Sequence, residues 1–385
     1  MNAPAPPQRI LIVAGEASGD LHGAHLVDAL KRKHDSIECC GVGGKAMAAA
    51  GVRLVVDAAS LSVVGITEVI SRLPQILKGL AKVKQQLTNF RPDMVILIDF
   101  PDFNLRIAAA AKKMGIPVLY YISPQIWAWR SKRVVKIGRL VDHMAVILPF
   151  EEPFYREHHI PVTFVGHPLM DEYADIPATP LPLPVSTHPV IGLLPGSRES
   201  EIRRILPVML ESALKLSRKL EQVRFVISVA PGAPQDIIEA LSAPYASQLS
   251  IELNTGGARA VFPQVHLAVA ASGTVTLEAA INDTPVVIVY KVSPFSYHLG
   301  RALIQVAHIG LVNLIAGKEI APELIQNHAS PENIAAAVYR LVTSPPALNT
   351  MRQNFATVRT RLGGPGASAR VADIALKVLG LQYLR

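Results

Sequence analysis

The sequence predicts an α/β protein of two Rossmann-like domains, each built on a parallel sheet, facing a cleft between them. Three observations carry this. Apolar runs such as Met94 to Asp99 (MVILID) and Val190 to Leu194 (VIGLL) lack the polar alternation of a half-exposed strand. Both faces of such strands are buried, as in parallel sheets covered by helices. The runs alternate with amphipathic segments, and the pattern breaks once, at a proline-rich stretch, before restarting.

Taken in order, Arg9 to Ala14 is a strand ended by Gly15, and Asp20 to Lys33 follows as a helix with Leu21, Ala24, Val27 and Leu30 at helical spacing. Met94 to Asp99 is the next strand, after the turn signal Arg91-Pro92. Leu105 to Met114 is helical, Gly115-Ile116-Pro117 breaks it, and Val118 to Ile122 is a third strand. His143 to Leu148 and Thr163 to Val165 supply two more. Then come Pro177, Pro180, Pro182, Pro184 and Pro189, which mark residues 174–189 as a linker between domains at 1–173 and 190–350. Val190 to Leu194 opens the second domain, Pro195-Gly196 ends that strand, and a helix starts near Ser200. Val223 to Val229, Leu267 to Ala270 and Pro285 to Val289 are its later strands. Residues 351–385 read as C-terminal helices that pack back on the N-terminal domain. In sheets of this kind ligands bind at the carboxyl ends of the strands.

Composition agrees with this organisation. At roughly 100–200 residues per domain, 385 residues make two, and an apolar share of 50% excludes a disordered chain. Charged residues are 18%, yet the formal net charge is +8, so an acidic partner is expected. A membrane span is not: the longest apolar stretch, Leu267 to Tyr290, contains Glu278, Asn282, Asp283 and Pro285. The opening MNAPAPPQ lacks the features of a secretory signal. Cys39 and Cys40 are adjacent and form no disulfide framework, which suits the cytosol.

Four strand-to-helix turns are candidates for chemistry. Gly15-Glu16-Ala17-Ser18-Gly19-Asp20 lets backbone approach a ligand, but its G-x3-G spacing and Glu16 disfavour a dinucleotide. An ordinary turn capped by Ser18 or Asp20 is the alternative. In Asp99-Phe100-Pro101-Asp102-Phe103-Asn104 a carboxylate ends a buried strand, where burial raises its pKa towards general-base use. Asp102 or Asn104 is expected to cap the next helix, leaving Asp99 the freer candidate. Pro195-Gly196-Ser197-Arg198 offers a backbone-lined anion site plus a bidentate phosphate donor, although no Walker pattern is present. An arginine at a helix start is electrostatically unfavourable without an anion. Ser272-Gly273-Thr274 is a similar turn, with Glu278 one turn on, where a carboxylate accepts sugar hydroxyls; Ser272 as a plain N-cap is the alternative.

Zinc and EF-hand patterns are absent from the sequence, and no metal or other cofactor is expected. Two further features suggest surfaces. Arg130, Lys132, Arg133, Lys136 and Arg139 lie beside Trp127 and Trp129, a combination suited to nucleic acid or a lipid interface. Ile66, Val69, Ile70, Leu73, Ile76, Leu77, Leu80 and Val83 form a helical apolar stripe, interrupted by Pro74 and flanked by Lys78, Lys82 and Lys84. It is either core packing or a patch for acyl chains and anionic membrane.

Together these segments resemble one family, lipid-A-disaccharide synthase, an inverting glycosyltransferase of GT-B architecture. The resemblance rests on AGEASGDLHG (14–23), GVGG (41–44), IDFPDFN (98–104), YYISPQIWAWRSKRVVKIGRLVDH (120–143) and LPFEEPFY (148–155). It continues through FVGHPLMD (164–171), LLPGSRESEI (193–202), ASGTVTLEAA (271–280) and NLIAGKEIAPELIQ (313–326). It implies transfer of 2,3-diacylglucosamine from its UDP conjugate to the 6-hydroxyl of lipid X, 2,3-diacylglucosamine 1-phosphate. The products are the β(1→6) disaccharide 1-phosphate of lipid A biosynthesis and UDP, and no metal is needed. It further implies Asp99 as general base; Glu16, Ser18, Asp20, Asp102 and Asn104, from the same turns, are further catalytic or acceptor-binding candidates. UDP would fall to Gly196, Ser197, Arg198, Ser272, Gly273, Thr274 and Glu278. Asn313, Glu323 and Gln326 match the family's Asn and E-x-x-Q positions, and in a homodimer formed by a C-terminal swap they would serve the partner's site. The family's usual Pro before that Asn is Val312 here. The expected location is cytoplasmic, peripheral on the anionic inner membrane of a Gram-negative bacterium, with Ile66, Val69, Ile70, Leu73, Ile76 and Leu77 as the acyl or membrane patch.

Three other readings compete. A UDP-sugar epimerase shares the fold and nucleotide site but needs no lipid acceptor. A nicotinamide dehydrogenase needs a G-x-G-x-x-G that is not placed here. A non-catalytic membrane- or nucleic-acid-binding protein would leave Asp99 and Glu278 idle. With UDP, a sugar phosphate and a lipid surface as anionic partners, nucleic acid is not needed to explain the charge.

Overall fold

The structure, a computed structural model, describes residues 7–61, 66–129, 131–175, 188–293, 297, 301 and 306–381, with side chains left out at 66–72, 129 and 131. Most of the expected linker, residues 176–187, lies outside the described residues. The chain divides into two compact units: Met1–Glu172 with Leu362–Arg385, and Tyr173–Arg361.

Unit 1 holds seven strands: β1 (Gln8–Ala14), β2 (Ile37–Gly43), β3 (Arg53–Asp57), β4 (Met94–Ile98), β5 (Val118–Tyr121), β6 (His143–Val146) and β7 (Val162–Phe164). They lie in the order β3-β2-β1-β4-β5-β6-β7, and every pairing is parallel. Two apolar clusters, one on each face, explain the absence of polar alternation. Leu11, Val13, Val95 and Leu97 point to one cluster, and Ile10, Ile12, Met94, Ile96 and Ile98 to the other. The second face is completed by Val371, Ala372, Ala375 and Leu376 of the helix Ala367–Val378. The preceding helix, Pro345–Arg361, belongs to unit 2. Arg370 fastens the returning segment by donating to the carbonyls of Val165 at 2.7 Å, Pro365 at 2.8 Å and Gly364 at 2.7 Å.

Unit 2 holds β8 (Val190–Leu194), β9 (Arg224–Ser228), β10 (Ser250–Asn254), β11 (Leu267–Ala271), β12 (Val286–Tyr290) and β13 (Glu323–Ile325). Their order is β10-β9-β8-β11-β12-β13, again parallel throughout. Each sheet therefore reverses direction of strand addition once: between β1 and β4, and between β8 and β11. Ligand sites in doubly wound sheets form at that reversal, beyond the carboxyl ends of the strands.

Four strands lack a counterpart in the sequence reading: β2, β3, β10 and β13. Three of them, β3, β10 and β13, are edge strands with burial too partial for a continuous apolar run. The first helix runs from Ala17 to Lys33, three residues earlier than its periodicity indicates. Its N-cap is Glu16, whose side chain makes no capping bond. Ser18 and Asp20 are thus first-turn residues rather than caps. Cys39 and Cys40 are free and buried, and desolvation pushes each thiol up to about 12, so they act as packing residues. Among the described residues no helix is long and apolar enough to cross a membrane.

Candidate active site

In unit 1, β1 ends at Gly15-Glu16 and β4 at Asp99, with Ala14 and Ile98 paired in register. Gly15 is required locally, since a Cβ there would stand 2.2 Å from the Phe100 ring. Asp99 and Phe100 both take left-handed backbone, with φ of 48° and 47°, before the helix Pro101–Lys113 begins. Such a conformation costs about 1–3 kcal/mol per non-glycine residue and persists where its surroundings impose it. Here the Asp99 carbonyl accepts from Asn104 Nδ2 at 2.7 Å and from the Tyr120 hydroxyl at 2.5 Å. Asn104 also donates to the Ile98 carbonyl at 3.2 Å. The turn is thus held through its carbonyls, while the Asp99 carboxyl accepts from the Phe100 amide. Burial first, and the charge of Glu16 second, raise its pKa to about 6.

The other carboxyl and hydroxyl candidates separate in space. Glu16 and Ser18 are exposed at the head of the first helix. Asp20 is 8% exposed and takes up the amides of Gly44 at 2.6 Å, Ala46 at 2.9 Å and Met47 at 3.0 Å. It caps the helix Lys45–Ala49 and is not gathered with Asp99. Asn104 is fully buried and serves the turn. Asp102 faces solvent and pairs with Arg133 at 3.0 Å. Among the acidic candidates the structure couples Glu16 with Asp99.

The aromatic-basic tract has an anchor that sequence reading missed. Glu151, 1% exposed, accepts from Ser123 Oγ at 2.7 Å, Trp127 Nε1 at 3.0 Å and the Leu148 amide at 3.0 Å. Trp127 also meets Phe150 edge-on at 4.7 Å. Trp127 is therefore committed to packing, while Lys132, Lys136 and Arg139 remain exposed. Arg130 and the Trp129 side chain lie outside the described residues. Burial raises the Glu151 pKa to about 7 against the pull of these hydrogen bonds.

In unit 2, β8 runs into Pro195-Gly196-Ser197-Arg198. Gly196 has φ +106°, which favours glycine on steric grounds. Arg198 is the N-cap of the helix Glu199–Ser217 and makes no capping bond with its side chain. Its guanidinium is half exposed, 3.9 Å from Glu201. The neighbouring strand, β11, leads into Ser272-Gly273-Thr274, and Thr274 precedes the helix Val275–Ile281. Leu194 pairs with Ala270, so the two turns leave adjacent strands at the switch point. Ser272 Oγ donates to the Ile309 carbonyl at 3.2 Å. A Cβ added at Gly273 would meet nothing within 4 Å, so packing among the described residues gives no reason for glycine there. Glu278, half-buried on that helix, accepts from the Tyr173 hydroxyl at 2.5 Å.

Asn313, Glu323 and Gln326 knit their own unit. Glu323 accepts from the amides of Ile309 at 2.9 Å and Gly310 at 3.0 Å, and from Asn313 Nδ2 at 2.7 Å. Asn313 Oδ1 takes the amides of Ile320 at 2.8 Å and Ala321 at 3.0 Å. Gln326 exchanges two hydrogen bonds with the Val292 backbone. These bonds shape the segment that Ser272 touches, so the three side chains organise the loop from within. Val312 lies in the first turn of the helix Leu311–Ala316, where amides have no intrahelical acceptor, so valine and proline are both accommodated. In the apolar stripe, Leu80 and Val83 are core and Ile76 packs against it, while Leu73 and Leu77 are each 46% exposed. The side chains of Ile66, Val69 and Ile70 lie outside the described residues.

A doubly wound pair of sheets with these turns defines a class. The structure resembles UDP-GlcNAc 2-epimerase from Neisseria meningitidis solved with UDP-GlcNAc, with a TM-score of 0.65 at 16% identity, covering 96% of this chain and 100% of that one. It equally resembles Acinetobacter baumannii MurG, at TM-score 0.59 and 17% identity, covering 96% and 100%. The fold is that of GT-B glycosyltransferases and their epimerase relatives. The model of the lipid-A-disaccharide synthetase family matches residues 10–370. Lipid-A-disaccharide synthase of Geobacter metallireducens is 45% identical, over 98% of each chain. That of Syntrophus aciditrophicus is 46% identical, over 96% of this chain and 97% of its own. The chain belongs to the lipid-A-disaccharide synthetase family and is a glycosyltransferase of lipid A disaccharide biosynthesis. The epimerase alternative is not favoured, because its support stops at the fold.

Proposed function

We propose that the chain joins UDP-2,3-diacylglucosamine to lipid X, with unit 2 holding the donor and unit 1 activating the acceptor. The observation that supports this best is the contrast at the two switch points: a raised-pKa carboxyl in unit 1 and an arginine with glycine-hydroxyl turns in unit 2. Gly196, Ser197, Arg198, Ser272, Gly273 and Thr274 take the diphosphate, and Glu278 takes the ribose hydroxyls. The acceptor's 6-hydroxyl oxygen attacks the anomeric carbon from the face opposite UDP. A new C–O bond forms as the bond to the diphosphate breaks, UDP leaves with the electron pair, and Asp99 receives the hydroxyl proton. A base with pKa near 6 is ionised at neutral pH and still basic enough to help. Arg198 and the turn amides stabilise charge growing on the departing diphosphate.

Membrane contact fits the same reading. Leu73 and Leu77 stand out from the helix Ile66–Asn89, near exposed Lys78, Lys82 and Lys84. That arrangement suits acyl chains and an anionic cytoplasmic leaflet. A homodimer formed by C-terminal exchange would make the returning helix's contacts between copies, and sedimentation at several concentrations tests it. The decisive experiment is incubation with UDP-2,3-diacylglucosamine and lipid X, followed by mass spectrometry. Disaccharide 1-phosphate with equimolar UDP is expected. Donor consumption to give an epimerised UDP-sugar, with no disaccharide, would overturn the proposal.

A further inference from the structure

We propose that Tyr173 is the positioning residue for nucleotide ribose, acting through Glu278. The inference rests on the reading of Glu278 as the ribose ligand. Tyr173 is the residue at which the chain enters unit 2, and it is 4% exposed. Its hydroxyl donates to Glu278 Oε2 at 2.5 Å, within the short range of an O–H bond to a carboxylate. The phenol is itself held: the Arg259 guanidinium lies 5.0 Å from its ring centroid, and Asp175 holds that guanidinium at 2.6 Å. Glu278 is fixed at its other end by its helix, with Asn282 Nδ2 on its carbonyl at 2.8 Å.

The consequence is chemical. A glutamate side chain is long, and ordering it when a ligand binds costs rotamer freedom. The phenol orders it beforehand. A carboxylate has about four acceptor sites, and the phenol takes one of them while fixing the direction of the rest. The pair Tyr173–Glu278 should therefore set how strongly the site prefers a ribonucleotide over one lacking the diol. Nothing in the local sequence marks Tyr173, which stands 105 residues from its partner.

The test is calorimetric binding of UDP and of 2′,3′-dideoxy-UDP to the full chain, to Tyr173→Phe and to Glu278→Gln. Both ligands are measured on one preparation, so an unfolded fraction cancels from the ratio. The parent chain should prefer UDP by about tenfold or more, as expected for hydrogen bonds to a charged group. Glu278→Gln should bring that ratio close to one. Tyr173→Phe should reduce it by about three- to tenfold, by weakening UDP and sparing the dideoxy ligand. Equal weakening of both ligands in Tyr173→Phe would show a merely structural role and overturn the proposal. So would an unchanged ratio in Tyr173→Phe beside a lost one in Glu278→Gln, which would leave the reading of Glu278 standing. A ratio kept in Glu278→Gln would instead remove Glu278 from the ribose, and the proposal with it.

Discussion

In unit 1 the strands flanking the switch point end in Gly15-Glu16 and Asp99; in unit 2 their counterparts end in Gly196-Ser197-Arg198 and Ser272-Gly273-Thr274. The strand order is shared, so the framework offers the same place twice. The residues placed there differ in sign. Burial, with the charge of Glu16 beside it, raises the Asp99 pKa and suits the neutral hydroxyl of an acceptor. An arginine and open helix ends suit a diphosphate. On the proposed reading, one topology serves proton removal in one copy and anion binding in the other, because strand order is set by buried apolar faces and chemistry by a few turn residues.

That division of labour can be broken. The largest effect should come from Asp99→Asn, which should lower turnover by about 10²–10⁴-fold, the usual loss for a general base, with UDP affinity unchanged by calorimetry. Turnover near that of the parent would hand the role to another group. Next, Arg198→Ala should weaken UDP binding by about 1.5–3 kcal/mol, as for a charged hydrogen bond, and leave the pH at which activity falls unaltered. A shift in that pH would join the two sites that the comparison separates.

A third effect belongs to unit 1 alone. The Asp99 pKa is raised from 3.8 to about 6 by burial and by Glu16, so the folded state binds its proton more tightly than the unfolded chain does. Its contribution to stability is full below pH 3.8 and is lost as pH rises through about 6. Asp99→Asn should therefore be more stable than the parent at pH 8, by up to about 2–3 kcal/mol, and the gain should shrink towards pH 4. Activity should run the other way, falling as pH drops through about 6, since the base must be ionised. Denaturant titrations at the two pH values and a pH–rate profile read both signs. The smallest effect should be that of Leu73→Gln with Leu77→Gln: both positions are exposed, so stability should change by less than about 0.5 kcal/mol per site. Retention on anionic vesicles should fall, and unchanged retention would place membrane contact elsewhere.

Particular residues show what could be read beforehand. The strands Met94–Ile98 and Val190–Leu194 are buried at every position, so their hydropathy alone identified them, and the turns after them followed. β13, only half-buried, carries no such signal. The candidates Asp20, Asn104, Asn313 and Glu323 were visible as polar residues in marked segments, but their partners were not. The Asp20 carboxylate caps a helix 25 residues on, and Glu323 closes onto amides of another segment. Nothing in the sequence singles out Glu151, whose role rests on its burial and its three donors.

By itself the sequence determined two parallel sheets and the turns that leave their strands, since continuous apolar runs and glycine turns depend only on neighbours along the chain. Tertiary structure decided which carboxyl keeps a raised pKa, which polar side chains are consumed in holding backbone, and that Tyr173 meets Glu278. Those outcomes depend on desolvation and on donors brought from distant segments, and neither is a local property of the chain.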